Sequence, residues 1–230
     1  MRTGAVFASV GAALLALAAV LGACSAMGDQ EKKPVEIWRS GEQFVRIEPP
    51  EVPETVALPP NVHPVRVSAD QLRNGLRRIG VRHSPGDEPR PLFEPASLEA
   101  LGRGLEAGLA RARPDQDVTF AVEQRYRGFL GLTDTRVISG RMFYSGGWLH
   151  LIFGSVLRED VADDDLHFDP YRPGRRYASE RMDVTLWAAP GAGVYRAPGV
   201  ERDDWLVFAP QALAARPPAP PAPPPAYWPR

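Results

Sequence analysis

The amino-acid sequence predicts an α+β domain, in which a mainly antiparallel sheet of about six to eight strands carries two helices on one face. Three observations lead to this prediction. Apolar residues recur at helical spacing in two segments of the first half, and from Asp117 onward their spacing changes to two, as in strands. Glycine-rich turns then separate several β-rich segments, and strands joined by such short turns pair antiparallel.

The first strands are predicted at residues 35–38 and 44–47, where short β-rich runs flank a connection that suits a hairpin. Prolines recur between residues 48 and 64. Because proline fixes φ and lacks an N–H donor, this segment is expected to run extended over the domain surface, with His63 in solvent. Residues 65–67 are predicted to enter a further strand.

The first helix is predicted over residues 69–79. Ser68 stands at the N-cap position, and Gln71 follows it at the spacing of a capping box. Gly80 suits the C-terminal end of the helix. The apolar residues of this segment share one narrow stripe and are Leu72, Leu76 and Ile79.

The second helix is predicted over residues 95–112 and begins at Pro95, since proline is favoured at the first helical position. Its apolar stripe consists of Leu98, Leu101, Leu105 and Leu109. Gly104 and Gly108 flank that stripe, although each glycine costs a helix up to about 1 kcal/mol relative to alanine. We therefore expect them to permit a close approach between the helix and the sheet.

The second half is predicted to be rich in strands. Residues 118–122 alternate apolar and polar side chains, whereas residues 125–134 are interpreted as a loop over the edge of the core. The strongest hairpin pairs residues 136–144 with 148–157 around a Ser-Gly-Gly turn, and its second arm is apolar on both faces, which predicts a central strand. Further strands are predicted at 182–188 and 205–208, with a short edge strand between them.

Two segments are strongly biased in composition. Residues 159–176 are rich in aspartate and then in arginine, and we interpret them as a solvated acidic loop. Carboxylates at this density could bind calcium, but their spacing fits no EF-hand. Residues 211–230 are predicted to be a Pro-rich disordered tail that favours polyproline II conformation. Tyr227 and Trp228 at its end are candidate partner-docking residues, because a spacer needs no adjacent aromatic pair.

The N-terminus predicts where the protein works. Arg2 supplies a positive charge, and an apolar run too short for a good membrane span follows it. The run ends in Leu21-Gly22-Ala23-Cys24, and Cys24 is the single cysteine of the chain. These four residues resemble the lipobox of bacterial lipoproteins. The predicted organisation is a signal peptide at 1–23, a lipidated cysteine and tether at 24–34, one α+β domain at 35–210, and the tail at 211–230.

The resemblance implies that a lipid is attached to the thiol of Cys24 and that cleavage before this residue makes it the new N-terminus. In lipoproteins an aspartate after the cysteine commonly retains the protein at the inner membrane. Here that residue is Ser25, so the resemblance implies the periplasmic face of the outer membrane. The membrane is therefore one expected partner, through Cys24, and an envelope protein that contacts the Pro-rich tail is another.

Composition and motifs exclude several functions. The 27 basic and 28 acidic side chains nearly balance, so nucleic acid is not an expected partner. The histidines occur without the spacing of zinc ligands, and neither a phosphate-binding loop nor a Gly-x-Ser-x-Gly motif is found in the sequence. We therefore expect no cofactor, no metal and no catalytic residue.

Two functional hypotheses remain from the sequence. The first is a non-enzymatic lipoprotein with a binding or structural role in the cell envelope. The second is an envelope hydrolase whose catalytic residues lie in the loops 125–134 and 159–176.

Overall fold

A seven-stranded sheet is the main element of the fold. The computed structural model describes residues 33–53, 55–127, 133–159, 169–197 and 200–214. The strands in these residues are Val35–Ser40 (β1), Gln43–Glu48 (β2), Ile79–Arg82 (β3), Arg90–Pro91 (β4), Asp117–Arg127 (β5), Thr133–Ser145 (β6), Trp148–Glu159 (β7), Thr185–Ala188 (β8), Ala192–Ala197 (β9) and Val200–Phe208 (β10). The main sheet has the order β1-β2-β5-β6-β7-β10-β9, and it is antiparallel. The predicted α+β fold class is confirmed.

Two long hairpins form the centre of this sheet. In the β6–β7 hairpin, Gly146 and Gly147 have φ values of 57° and 83°, which lie in the left-handed region that a two-residue turn requires. The predicted hairpin is therefore confirmed, and β7 lies in the interior of the sheet as expected. The prediction of a loop at 125–134 is wrong at both ends, because β5 continues to Arg127 and β6 begins at Thr133.

The first helix, α1, spans Ala69–Leu76 and begins with the predicted capping box. The backbone N–H of Gln71 donates to Ser68 Oγ (3.3 Å), and the N–H of Ser68 donates to Gln71 Oε1 (2.9 Å). The predicted end at residue 79 is wrong. Ile79 is β-branched and pairs with Ala188 in a second sheet, so a strand replaces the last helical turn, and Gly80 lies in that strand.

The second helix, α2, spans Pro95–Leu109, and its two predicted contact glycines meet the main sheet directly. A Cβ atom at Gly104 would lie 2.7 Å from Val45 Cγ2, and one at Gly108 would lie 2.6 Å from Val118 Cγ1. Both distances are shorter than any ordinary contact. The absence of a side chain at these positions therefore lets the helix lie close to β2 and β5, as the sequence predicted.

A second, smaller sheet has the strand order β4-β3-β8. Leu186 of β8 pairs with Val81 of β3, and the N–H of Leu92 donates to the carbonyl oxygen of Ile79 (3.0 Å). The strand predicted at residues 182–188 is thus shorter than expected and belongs to this sheet.

The Pro-rich segment between β2 and α1 is held by isolated backbone hydrogen bonds. Val62 N–H donates to Tyr144 O (2.8 Å), and Val65 N–H donates to Leu109 O (2.9 Å). The strand predicted at 65–67 does not form. Val65 makes this hydrogen bond to Leu109, at the end of α2, and does not join the hydrogen-bond ladder of a sheet. The prediction that His63 is solvated is also wrong: its side chain is buried beside the β6–β7 hairpin.

The domain extends beyond residue 210. Pro210–Ala214 form a short helix, α3, in which the side chain of Leu213 is buried. Leu213 Cδ2 lies 2.6 Å from the position that a Cβ of Gly75 would occupy, so α3 packs against α1. The tail predicted to begin at residue 211 therefore begins no earlier than residue 215.

Candidate functional site

The residues to which the sequence assigns specific roles, Cys24, Tyr227 and Trp228, lie outside the described residues. Their lipidation and docking roles stay predictions. The two loops proposed for a hydrolase are described in part. Residues 125–127 and 133–134 belong to paired strands, and of the second loop the structure describes Glu159 and residues 169–176.

Residues 169–176 cross the face of the main sheet that is opposite the helices, and we call them the strap. A Cβ atom on Gly154 of β7 would lie 2.0 Å from the carbonyl oxygen of Arg172, so the backbones approach as closely as glycine permits. Ser139 Oγ also donates a hydrogen bond to that oxygen (2.8 Å). These contacts hold the strap against the central strands, so the interpretation of residues 159–176 as a solvated loop is wrong for residues 169–176.

The strap is joined to the sheet by a buried ionic group, the Asp117 cluster, which consists of Asn61, Asp117, Arg141 and Arg176. The Asp117 side chain has no exposed surface. Its carboxylate accepts hydrogen bonds from Arg141 Nη1 (2.7 Å), from Asn61 Nδ2 (2.9 Å), and from Nε (3.0 Å) and Nη2 of Arg176. One carboxylate therefore faces two guanidinium groups away from water.

Further polar atoms of the Asp117 cluster also form hydrogen bonds. Arg176 Nη2 donates to Asn61 Oδ1 (2.7 Å), Asn61 Nδ2 donates to Gln116 O (2.6 Å), and Arg141 Nε donates to Gly174 O. Burial lowers the pKa of Arg176, and the nearby charge of Asp117 opposes this effect. Because a buried charge is tolerated only when it is paired, the cluster fixes the relative positions of the Pro-rich segment, β5, β6 and the strap.

A row of aromatic rings continues from the Asp117 cluster toward the edge of the sheet. The Arg176 guanidinium carbon lies 3.4 Å from the centre of the Phe143 ring, a cation–π contact. On β7, His150 stacks parallel to Phe143 with a centroid distance of 4.8 Å. Trp205 meets His150 edge-on at 5.7 Å and stacks with Tyr195 at 4.1 Å. The row thus joins β6, β7, β10 and β9.

A second buried ion pair fastens the strap to β10. Arg202 and Asp204 form two hydrogen bonds of 2.9 and 2.7 Å, and the Asp204 side chain has no exposed surface. The same guanidinium donates to the carbonyl oxygens of Arg175 (2.8 Å) and Arg176 (2.9 Å). Arg202 therefore binds the strap backbone and Asp204 together. The planar guanidinium group permits all four hydrogen bonds at once.

Two buried histidines accept hydrogen bonds from groups that can only donate. The indole N–H of Trp205 donates to His150 Nδ1 (3.1 Å), and the backbone N–H of Tyr144 donates to His63 Nε2 (3.1 Å). Neither acceptor nitrogen can carry a proton in this arrangement, so both rings are neutral. Burial lowers the pKa of both side chains. They therefore contribute to packing in the neutral form.

This arrangement predicts acid sensitivity. An unfolded histidine binds a proton below about pH 6.5, whereas His63 and His150 bind it only at lower pH while folded, so stability is fully present above pH 6.5 and falls as pH decreases. Each histidine can contribute a slope of up to about 1.4 kcal/mol per pH unit. We expect urea denaturation between pH 7 and 5 to show this loss.

Two matched variants test whether a buried histidine causes the pH dependence of stability. His150→Gln is expected to reduce the pH dependence, because glutamine keeps a polar acceptor but does not titrate in this range. His83→Gln serves as the control, since His83 is exposed. Equal pH dependence in wild type and His150→Gln would contradict the assignment of His150.

On this face the buried charged side chains bond one another and the backbone of the strap. Within the described residues, no group of three or more His, Cys, Asp or Glu side chains is placed to hold a metal ion. Asp169, the one residue of the aspartate-rich run that is described, accepts a hydrogen bond from the N–H of Tyr171 (2.9 Å). The sequence left open whether this run binds a cation, and residues 160–168 lie outside the described part.

Sequence reasoning missed the Asp117 cluster, the Arg202–Asp204 pair and the aromatic row. One signal was visible: Arg141 stands in the apolar strand that also contains Ile138, Met142 and Phe143. A charge in such a strand is rarely buried without a partner. The sequence does not indicate which carboxylate that partner is.

Among the helices that the structure describes, none is long and apolar enough to cross a membrane. Comparison of the chain with protein families, with curated proteins and with solved structures finds no match.

Proposed function

We propose that the protein is a lipid-anchored component of the bacterial cell envelope with a non-enzymatic binding or structural role. The observation that carries this proposal is the Leu21-Gly22-Ala23-Cys24 sequence at the end of a short apolar run, with Cys24 as the single cysteine. By its resemblance to lipoproteins, and with Ser25 after the cysteine, the proposed place is the periplasmic face of the outer membrane.

The position of the first strand supports an anchored domain close to the membrane. β1 begins at Val35, so residues 25–34 separate it from Cys24. A coil of about ten residues has a root-mean-square reach of about 17 Å. β1 is also an edge strand of the main sheet. We therefore propose that this edge of the sheet faces the membrane region, where a partner can add a strand.

The use of the ionisable groups supports a binding or structural role. Arg141 and Arg176 both donate hydrogen bonds to Asp117, and Arg202 with Asp204 holds the strap. A general acid or base must come within hydrogen-bond reach of its substrate, whereas these side chains are buried and are bonded inside the fold. The proposed contacts with an envelope protein therefore lie on the sheet edge or on the Pro-rich tail, with Tyr227 and Trp228 as anchors.

Lipidation is tested by metabolic labelling with a palmitate analogue, followed by membrane fractionation. The wild-type protein is expected to be labelled and to partition with membranes, since two or more acyl chains give stable anchoring. Cys24→Ser is expected to lose the label and to persist as the precursor. An unlabelled wild-type protein, or an unprocessed precursor as its main form, would overturn the proposal.

Sorting is tested by the residue after the cysteine. Ser25→Asp is expected to move the protein from the outer-membrane to the inner-membrane fraction while it stays labelled. Ser25→Ala is the matched control and is expected to stay in the outer membrane. Inner-membrane location of the wild type would contradict the proposed place but not the lipid anchor.

A further inference from the structure

Aromatic side chains form an open shelf on the strap side of the main sheet, near its β9 edge. The pairs His150↔Val207 and Val207↔Gly193 place these residues side by side on β7, β10 and β9. Alternation along each strand brings Trp148, Trp205 and Tyr195 to the same face as His150. We call this surface the aromatic shelf; it consists of Trp148, Gly193, Tyr195, Trp205 and Val207.

The middle of the aromatic shelf is open, and aromatic side chains lie at its two ends. A Cβ atom built on Gly193 would meet no atom within 4 Å, and Val207 is half-buried. Trp148 borders one end and is 47% exposed. The stacked rings of Tyr195 and Trp205, 4.1 Å apart and both half-buried, border the other end. Four residues along β7 separate these ends, which corresponds to about 13 Å.

This geometry suits a polyproline II segment. Such a segment presents prolines along an extended left-handed helix of about 9 Å per turn, and its rings pack between aromatic side chains. It also loses little conformational entropy on binding, because proline fixes φ in advance. The length of the aromatic shelf accommodates between one and two turns.

The chain itself carries such a segment, which follows α3, the last element that the structure describes. β10 ends at Phe208, whose partner in the edge strand is Ala192, and α3 follows directly. Residues 215–230 come next, with eight prolines between Pro217 and Pro229. In polyproline II conformation these 13 residues would span about 40 Å. That length is enough to pass the β9 edge from the helix side, since a sheet and its covering layer are about 10 Å apart.

We propose that the Pro-rich tail, residues 216–230, docks on the aromatic shelf of its own chain. The tether through α3 raises the effective concentration of the tail to the millimolar range, so weak contacts are sufficient for occupancy. An envelope partner of the tail would then compete with the aromatic shelf, and its apparent affinity would be reduced by the fraction of tail that is docked. The docking itself does not depend on lipidation of Cys24.

The test places a photo-crosslinker in the full-length mature protein, with p-benzoylphenylalanine replacing Tyr227. Illumination of the detergent-extracted protein is expected to give an intramolecular cross-link, which mass spectrometry assigns to peptides that contain Trp148 or the segments around Tyr195 and Trp205. Trp148→Ala is expected to reduce the yield of this cross-link by about 2- to 10-fold, the effect of losing one aromatic contact. Tyr195→Ala is expected to act in the same way.

Trp187→Ala is the matched control, because Trp187 is also exposed but lies in the second sheet. It should leave the cross-link yield unchanged, and thermal unfolding checks that each variant is folded. Three outcomes would overturn the proposal: a cross-link to another part of the chain, a cross-link only to a second copy, a lipid or another envelope protein, or no cross-link at all. A cross-link that Trp148→Ala and Tyr195→Ala both leave intact in folded protein would overturn it equally.

Discussion

Asp117→Asn is expected to lower the free energy of unfolding by about 3–5 kcal/mol, the usual cost of removing one partner from a buried ion pair. Asparagine has nearly the same shape as aspartate, but it lacks the charge that Arg141 and Arg176 face. Both guanidinium groups would then be buried without a counter-ion. Urea denaturation of the variant and the wild type at pH 7 measures the difference.

Asp115→Asn provides the matched control two residues away. Asp115 pairs with Arg113 at 3.3 Å, but its side chain is 66% exposed. Exposed ion pairs contribute about 0–1 kcal/mol, so this variant should remain close to wild type. If Asp117→Asn were no more destabilising than Asp115→Asn, the Asp117 cluster would not be what joins the strap to the sheet.

Phe153→Ala is expected to destabilise the protein by about 3–5 kcal/mol, and Leu105→Ala by about 2–5 kcal/mol. Both side chains are fully buried in the hydrophobic core, Phe153 on β7 and Leu105 on α2. Truncation of either one removes apolar contacts and leaves a cavity that the packed surroundings fill only in part. Chemical denaturation measures both changes.

Val62→Ala is the control at an exposed apolar position. Because Val62 is 58% exposed, its truncation should change stability by no more than about 0.5 kcal/mol. If Phe153→Ala and Leu105→Ala also stayed within about 0.5 kcal/mol of wild type, the proposed packing of helix on sheet would be wrong.

Features that depend on neighbours in sequence were predictable. The capping box needs only Ser68 and Gln71, and the two-residue turn needs only Gly146 and Gly147. The fold class followed from the change of apolar period at Asp117, because helix and strand impose different periods on their buried faces.

Features that depend on distant partners were not predictable. Ile79 continues the apolar stripe of α1, but its backbone pairs with Ala188, more than one hundred residues away in the sequence. His63 lies in a Pro-rich segment that resembles a surface connection, yet its ring accepts a hydrogen bond from Tyr144 of the hairpin. In both cases a tertiary contact overrides the local pattern.

The Asp117 cluster is the clearest example of the second kind. Its members come from the Pro-rich segment, the start of β5, the middle of β6 and the strap. Each residue alone is an ordinary polar residue in the sequence, and the chain contains 28 carboxylate side chains that could pair with Arg141. Only the folded arrangement identifies Asp117 as the shared partner.

The mass of the mature protein tests the proposed lipid anchor most directly. Intact mass spectrometry of the detergent-extracted protein is expected to give the mass of residues 24–230 plus that of the attached acyl chains, and fragmentation should place them on Cys24. A mass equal to residues 24–230 without lipid, or to the whole chain from Met1, would contradict the proposal that this protein is a lipid-anchored envelope component.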